Sequence, residues 1–238
     1  MNLKTSTSSK TVTFDNDFID YLIKEKSIKY QHINLLVYLK DRATLKEGGY
    51  RFIKEITLNE INTFLNGDAQ CRTTKKLVYD LVNLELIYIQ EDIKLTPKKV
   101  FSITLDGRIT QSKRSFTVVP EALLHKYSIG ISTYMAIRKY HSEVAKMSIP
   151  QIQKLSKVSK RELQYKIIKD LEELGFVDIL RGGYNNANTY ICTDYSKIEF
   201  ERLYNKFKPS KKNIVKNIVM QEREYQENLI VIGNKKSL

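Results

Sequence analysis

The feature that most constrains the fold is an apolar helical pattern that ends at a glycine and passes directly into two short apolar runs. The pattern recurs at three- and four-residue intervals, as on the buried face of a helix, at Leu163, Ile167, Ile168, Leu171 and Leu174. Gly175 follows, and glycine suits the left-handed residue that commonly ends a helix. Residues 176–179 and 189–192 then predict two strands joined by the polar turn 181–186.

A shorter helix is predicted immediately before this one. Ile149, Ile152 and Leu155 form its apolar side, and Pro150 falls near its first turn, where a missing N–H costs little. Ser159 caps the longer helix, with Glu162 three residues on as in a capping box. Residues 148–193 therefore predict a helix, a turn, a second helix and a hairpin.

Residues 56–105 carry a similar pattern. Thr57 or Asn59 can cap a helix that breaks at residues 66–68, and a second helix starts at about Arg72. Its apolar positions are Leu77, Val78, Leu81 and Leu84. The segment 93–105 reads as a hairpin whose tip carries Lys94, Lys98 and Lys99.

The two segments align at a spacing of about ninety residues. Leu65 falls on Leu155, Asp80-Leu81 on Asp170-Leu171, and Leu84-Glu-Leu-Ile on Leu174-Gly-Phe-Val. A spacing shared through helix, turn, helix and hairpin indicates a diverged internal repeat. Chance similarity between two amphipathic helices is the alternative.

The segment Ser148–Thr193 resembles the winged helix-turn-helix domains of bacterial regulators and of plasmid or phage replication initiators. The resemblance is carried by Ile152-Gln-Lys-Leu, Val158-Ser-Lys-Arg, Leu171-Glu-Glu-Leu-Gly-Phe-Val and Asn188-Thr-Tyr-Ile. Phe116–Leu124 resembles the extended segment that leads into such a unit, and two units in one chain resemble initiators that bind repeated origin sites. The resemblance covers most of residues 30–195, and the long turn 66–71 departs from it.

We therefore expect an α+β fold, mainly helical, with two tandem winged helix-turn-helix domains and a C-terminal helical segment. The predicted boundaries are a mobile tail at 1–13, a first domain at 14–110, a second at 111–195 and the C-terminal segment at 196–238. That last segment is expected to pack against its own domain or to mediate dimer or higher oligomer formation.

The net charge of +13 and the pI near 9.5 favour a polyanionic partner, either nucleic acid or an anionic membrane. Lysine richness from an AT-rich coding sequence is the alternative, with the lysines only solvated. No apolar run is long enough to cross a bilayer, the first residues do not resemble a secretory signal, and two cysteines are too few for a disulfide framework. We accordingly expect a cytoplasmic protein whose partner is double-stranded DNA and not a membrane.

A helix that reads the major groove needs an apolar inner face and a long polar outer face. In the second unit the candidate DNA-binding residues are Ser159, Lys160, Arg161, Gln164, Tyr165, Lys169, Arg181, Asn185 and Asn186. In the first unit they are Arg72, Thr73, Thr74, Lys75, Lys76, Lys98 and Lys99. Tyr165 has two interpretations, either half-buried against the hairpin or stacked on DNA.

Catalytic motifs are missing from the sequence. There is no nucleotide-binding phosphate loop, no G-x-S-x-G elbow and no paired-histidine or paired-cysteine metal motif among His32, His125, His141, Cys71 and Cys192. We expect no enzyme activity, no cofactor and no metal. The leading hypothesis is a replication initiator of a plasmid, phage or mobile element, with a winged-helix transcriptional regulator and a protein-binding adaptor as alternatives.

Overall fold

A computed structural model describes residues 11–46, 50–66, 71–89, 94–110, 115–139, 144–182 and 187–192. The candidate residues Asn185 and Asn186 and the whole C-terminal segment 196–238 lie outside the described residues.

The fold is α+β, as expected. Its helices are α1 Asn16–Lys24, α2 Tyr30–Arg42, α3 Leu58–Asn66, α4 Cys71–Asn83, α5 Gly107–Thr110, α6 Glu121–Lys126, α7 Ile131–Lys139 and α8 Ile149–Ser156. A 3₁₀ turn at Ser128–Gly130 precedes α7. After α8 a composite helix runs through α9 Lys160–Glu162, a π turn at Leu163–Ile167 and α10 Ile168–Glu173.

Within the described residues the strands form three small antiparallel sheets. They are β1 Thr11–Asp15, β2 Thr44–Leu45, β3 Arg51–Ile56, β4 Ile87–Ile89, β5 Phe101–Leu105, β6 Phe116–Pro120, β7 Val144–Met147, β8 Val177–Leu180 and β9 Asn188–Cys192. The sheet orders are β1-β6, β2-β3-β5-β4 and β7-β9-β8.

One succession of elements occurs twice along the chain. A strand and a short helix (β1-α1, β6-α6) lead to a core helix (α2, α7), then a strand (β3, β7), two helices (α3-α4, α8 and the composite helix) and a hairpin (β4-β5, β8-β9). In both halves the strand before the helix pair joins the outer side of the second hairpin strand, giving the orders β3-β5-β4 and β7-β9-β8. The internal repeat predicted from residues 56–105 and 148–193 thus extends over the whole described chain.

The two halves meet through strands that occupy the same place in each. β1 pairs antiparallel with β6, with Thr13 opposite Val118 at the centre and equal numbers of residues on either side. Each strand is followed at once by a helix, α1 or α6. The pairing therefore relates the halves locally by a pseudo-twofold axis. The prediction of a tail reaching residue 13 is wrong, because Thr11–Thr13 belong to this sheet.

Contacts across this axis are reciprocal. The core helices α2 and α7 pack together, α1 packs on α8, and the 3₁₀ turn before α7 packs on α3. The Asn34 side chain on α2 accepts a hydrogen bond from the Ser132 N–H at 3.0 Å, and the Ser128 hydroxyl donates to the Phe64 carbonyl at 2.6 Å. The buried apolar residues of both halves form one cluster. The predicted boundary at 110/111 therefore separates two repeats that share one core.

Both helix pairs begin with the same reciprocal cap. The Thr57 N–H donates to the Glu60 carboxylate at 2.7 Å, and the Glu60 N–H donates to the Thr57 hydroxyl at 3.2 Å. At α8 the Ser148 N–H donates to the Gln151 side chain at 2.7 Å. Of the two predicted caps for α3, the structure uses Thr57, and Pro150 lies in the first turn of α8 as predicted.

The second helix of each pair, α4 in one half and the composite helix in the other, ends in the same way. Glu85 and Gly175 adopt left-handed backbone conformations, with φ of 54° and 75°. The next N–H, of Leu86 or Phe176, returns to the carbonyl of Leu81 or Leu171. The predicted left-handed cap at Gly175 is confirmed, whereas in the first unit a glutamate with a Cβ occupies this conformation, which is unfavourable for L-residues.

We expect Glu85→Gly to raise the free energy of unfolding by about 1 kcal/mol, because glycine adopts positive φ without strain. Gly175→Ala should lower it by about 1 kcal/mol, since no atom lies within 4 Å of the added Cβ and only the backbone conformation opposes the change. Denaturant unfolding followed by circular dichroism measures both. A change of the same sign in the free energy of unfolding of both variants would contradict the left-handed conformation assigned to these two helix ends.

Candidate nucleic-acid interface

The composite helix 160–173 presents a polar outer face. Its inner side is formed by Leu163, Ile167, Ile168 and Leu171, all buried. Its exposed residues are the cations and polar or aromatic side chains Lys160, Arg161, Gln164, Tyr165, Lys166 and Lys169, together with the two acidic residues Glu162 and Glu173. The predicted outward residues of this helix are thus brought together on one surface. Lys166 belongs to the same surface and was missed, although its place between Tyr165 and Ile167 was a sufficient signal.

The start of this helix is fixed by Ser159. Its hydroxyl accepts a hydrogen bond from the Glu162 N–H at 3.2 Å and donates to the Glu162 carboxylate at 2.7 Å. The predicted cap at Ser159 is confirmed, with the Glu162 carboxylate bound to the Ser159 hydroxyl instead of to its N–H as in a full capping box. Because the Ser159 hydroxyl makes both of these hydrogen bonds, its role in the structure is to cap the helix that carries the exposed cations.

A cleft of about 240 Å³ separates the composite helix from the base of the second hairpin. It is lined by Ile149, Gln164, Ile168, Lys169, Glu172, Ile179, Arg181 and Asn188. The start of α8, the outer face of the composite helix and the hairpin therefore border one continuous surface.

Arg181 ties the hairpin to the helix. Its guanidinium donates to the Glu172 carboxylate at 2.6 Å, and the Asn188 side chain accepts from the Gly182 N–H at 3.0 Å across the hairpin base. Lys169 lies 3.4 Å from the Glu173 carboxylate. Arg181 and Lys169 are both largely exposed and already have acidic partners, so their positive charge is partly balanced at the surface.

In the first unit the predicted residues on α4 divide into three groups. Arg72, Thr73 and Lys76 are exposed, and the half-buried Lys75 lies with its Nζ 5.7 Å from the centre of the Tyr79 ring. Thr74 is a correction, because it is fully buried. Its hydroxyl donates to the Asn62 side chain at 2.7 Å and so joins α4 to α3, which removes it from any surface that could contact DNA.

Lys98 and Lys99 are exposed, but their segment is folded back against α3. The Pro97 carbonyl accepts a hydrogen bond from the Asn59 N–H at 3.0 Å, and Leu95 is buried in the core. Lys99 closes a turn by donating its N–H to the Thr96 carbonyl at 3.2 Å. The two cations therefore lie beside the start of α3, whereas the sequence had suggested a projecting hairpin tip.

Equivalent carboxylates anchor α4 and the composite helix. These two, the second helix of each pair, are called the outer helices below. Asp80 on α4 lies 3.3 Å from His32 Nε2, and Asp170 on α10 accepts a hydrogen bond from the Tyr127 hydroxyl at 2.5 Å. His32 lies in the first turn of the core helix α2, and Tyr127 directly precedes the 3₁₀ turn that leads into the core helix α7. These carboxylates were aligned in the sequence, but their ring partners were not predicted, because the rings lie 48 and 43 residues away.

The approach at Asp170 requires a glycine. A Cβ at Gly130 would lie 2.6 Å from the Tyr127 ring and 2.9 Å from the Leu171 side chain. Burial, with Asp170 adding to it, raises the pKa of Tyr127, so this phenol stays protonated and acts as a donor.

His32 is fully buried and neutral. Its Nδ1 accepts a hydrogen bond from the Lys29 N–H at 2.9 Å, so Nε2 carries the proton and donates to Asp80. Burial lowers the pKa of His32, and this effect outweighs the opposing influence of Asp80.

Among the described residues no cluster of His, Cys, Asp or Glu is arranged to hold a metal ion. No helix in the described ranges is both long and apolar enough to span a bilayer. No protein-family model matches the chain, and no curated protein is detectably similar to it.

We expect the free energy of unfolding to fall as the pH drops below about 6.5, the ordinary pKa of histidine, because the unfolded chain binds a proton there that folded His32 resists. Above that pH this residue contributes no pH dependence. In His32→Asn the loss between pH 7.5 and pH 5.5 should be smaller, as measured by urea unfolding at both values. His125→Asn, at an exposed histidine, is the matched control. An unchanged pH dependence in His32→Asn would contradict the assignment.

Proposed function

We propose that this chain is a sequence-specific double-stranded-DNA-binding protein with two winged helix-turn-helix units, and that it acts as a replication initiator of a plasmid, phage or mobile element. The observation that carries the DNA-binding proposal is the outer face of the composite helix 160–173. It combines three exposed cations, Lys160, Arg161 and Lys166, with a polar amide and an exposed aromatic ring.

This face has the chemistry that reading the major groove requires. Arginine and lysine donate to guanine O6 and N7, and a glutamine amide pairs with adenine. Arg161 and Gln164 are the exposed residues that can make these contacts. The hairpin base at Arg181 lies beside the same helix, where a wing would meet the phosphate backbone.

The first unit supports the same role through a more modest surface. Arg72, Thr73 and Lys76 are exposed on α4, and Lys98 and Lys99 flank the start of α3. The element order and the sheet order β3-β5-β4 match those of the second unit. Two potential DNA-reading surfaces in one chain favour a bipartite binding site.

The initiator proposal rests on this duplication together with the resemblance of residues 148–193 to initiator domains. The shared core and the β1-β6 pairing would hold the two reading surfaces at a fixed separation. A protein that must recognise one long origin repeat as a single unit would benefit from that arrangement.

We expect the affinity for a duplex carrying the cognate site to fall steeply with salt, with a log–log slope near −0.9 per phosphate contacted. Arg161→Ala and Gln164→Ala should each cost about 1–3 kcal/mol of discrimination between cognate and scrambled duplex, because each removes a base contact. Fluorescence anisotropy with a site selected from a random duplex library measures both quantities.

Lys24→Ala is the control, since it removes an exposed cation that lies at the end of α1, outside both helix pairs and both hairpins. It should leave the discrimination unchanged. If the affinity of the wild-type protein for duplex DNA does not change with salt concentration, DNA binding is contradicted and the protein-binding adaptor is favoured.

We expect a plasmid that carries only this gene and the DNA that flanks it to replicate, because the initiator would supply origin recognition. The measurement is plasmid copy number in a host that carries no other plasmid. The control plasmid encodes the Arg161→Ala/Gln164→Ala double variant, which should not be maintained. Repression of its own promoter without replication would contradict initiation and favour the transcriptional regulator.

A further inference from the structure

The two outer helices share their landmarks but differ by one residue in the spacing of their buried side chains. Each follows a shorter helix, and each ends at a left-handed residue, Glu85 or Gly175. Counted back from these residues, Leu77, Val78 and Leu81 correspond to Ile167, Ile168 and Leu171. The buried residue before them lies one position further back in the second unit.

The extra residue can be located from the buried positions. Two residues separate the buried Thr74 and Leu77 in α4, whereas three separate the buried Leu163 and Ile167 in the composite helix. The π turn at Leu163–Ile167 coincides with this difference. A π turn of this kind accommodates an added residue within a helix, and such turns occur frequently at functional sites. Here the addition enlarges the outer face and leaves the buried side in register.

Tyr165 is the central residue of the three. It is 79% exposed, more than any other large apolar residue described. This exposure rules out the interpretation of a ring half-buried against the hairpin. Arg161 stands four residues before the ring and Lys166 follows it directly, while Lys169, four residues after it, is paired with Glu173. The first unit has no exposed ring at this position, where Lys75 and Lys76 stand.

We propose that Tyr165 is a specificity-determining residue that recognises thymine by packing its ring against the 5-methyl group in the major groove. This inference rests on the proposed DNA-binding function. The thymine methyl is the apolar group that base edges display in the major groove, and apolar side chains recognise it by contact. The exposed Lys160 and Lys166 on the same helix would hold it against the phosphates on an intact duplex. Stacking on an extruded base would instead require the duplex to lose base stacking and base pairing at that position.

The test replaces each thymine of the selected cognate site in turn by uracil, which removes only the methyl group. Wild-type protein should lose about fourfold in affinity at one position or at two adjacent ones, as expected for one methyl group withdrawn from contact. Tyr165→Ala should bind all-thymine DNA more weakly and show no loss at those positions. Tyr165→Phe should behave as the wild type, because the ring makes the contact.

Tyr50→Ala is the matched control, since Tyr50 is an exposed tyrosine that precedes β3, outside both helix pairs and both hairpins. It should keep the full uracil effect. Deletion of Tyr165 is a second variant, because removing one residue restores the spacing of buried side chains seen in the first unit. It should unfold cooperatively, retain salt-dependent DNA binding and lose the uracil effect.

The outcomes separate this inference from the proposed function. If wild-type protein binds no duplex selectively, the proposed function fails. If it binds selectively but Tyr165→Ala retains the wild-type uracil effect, or no uracil position matters, the thymine contact is overturned. A rise in the fluorescence of 2-aminopurine placed within the site on binding of wild-type but not Tyr165→Ala protein would show an unstacked base and would also overturn it.

Discussion

The antiparallel pairing of β1 with β6 is the interaction on which the rest of the fold depends. These strands occupy the same place in each half, and their register is centred on Thr13 opposite Val118. A pseudo-twofold axis at that point brings the equivalent core helices α2 and α7 together. Contacts also cross between the halves, because α1 of the first half packs on α8 of the second, and the turn before α7 packs on α3 of the first. Two diverged repeats thereby bury one common core.

Polar groups within this core add direction to the apolar packing. Lys40 is almost fully buried, its ammonium donates to the Ile109 carbonyl at 2.5 Å, and it lies 4.6 Å from the centre of the Phe14 ring on β1. Burial lowers the pKa of Lys40 to about 8. The Lys139 ammonium, also buried, pairs with Asp20 on α1 across the two halves. Buried groups with such directional requirements disfavour alternative registers of the helices.

Each outer helix is anchored by a hydrogen bond between one of its carboxylates and a ring of the preceding segment. The ring differs between the two halves. His32 serves Asp80 in the first half, and Tyr127 serves Asp170 in the second. The outward faces diverge further, because the first helix is regular and the second contains a π turn. The anchoring side of each helix is thus preserved in its geometry, while the exposed side differs in length, charge and aromatic content.

The sequence by itself determined the local elements: the helix pair at 148–173, the cap at Ser159, the left-handed end at Gly175 and the ninety-residue repeat. Apolar periodicity and capping act over a few residues and can be read directly. Only the tertiary structure decided that Thr74 is buried, that Arg181 pairs with Glu172 and that residues 11–13 form a strand. Each of these depends on a partner distant in sequence or on the side of a helix that faces a neighbour. The π turn belongs to the same class, since it becomes apparent only when the buried positions of both helices are compared.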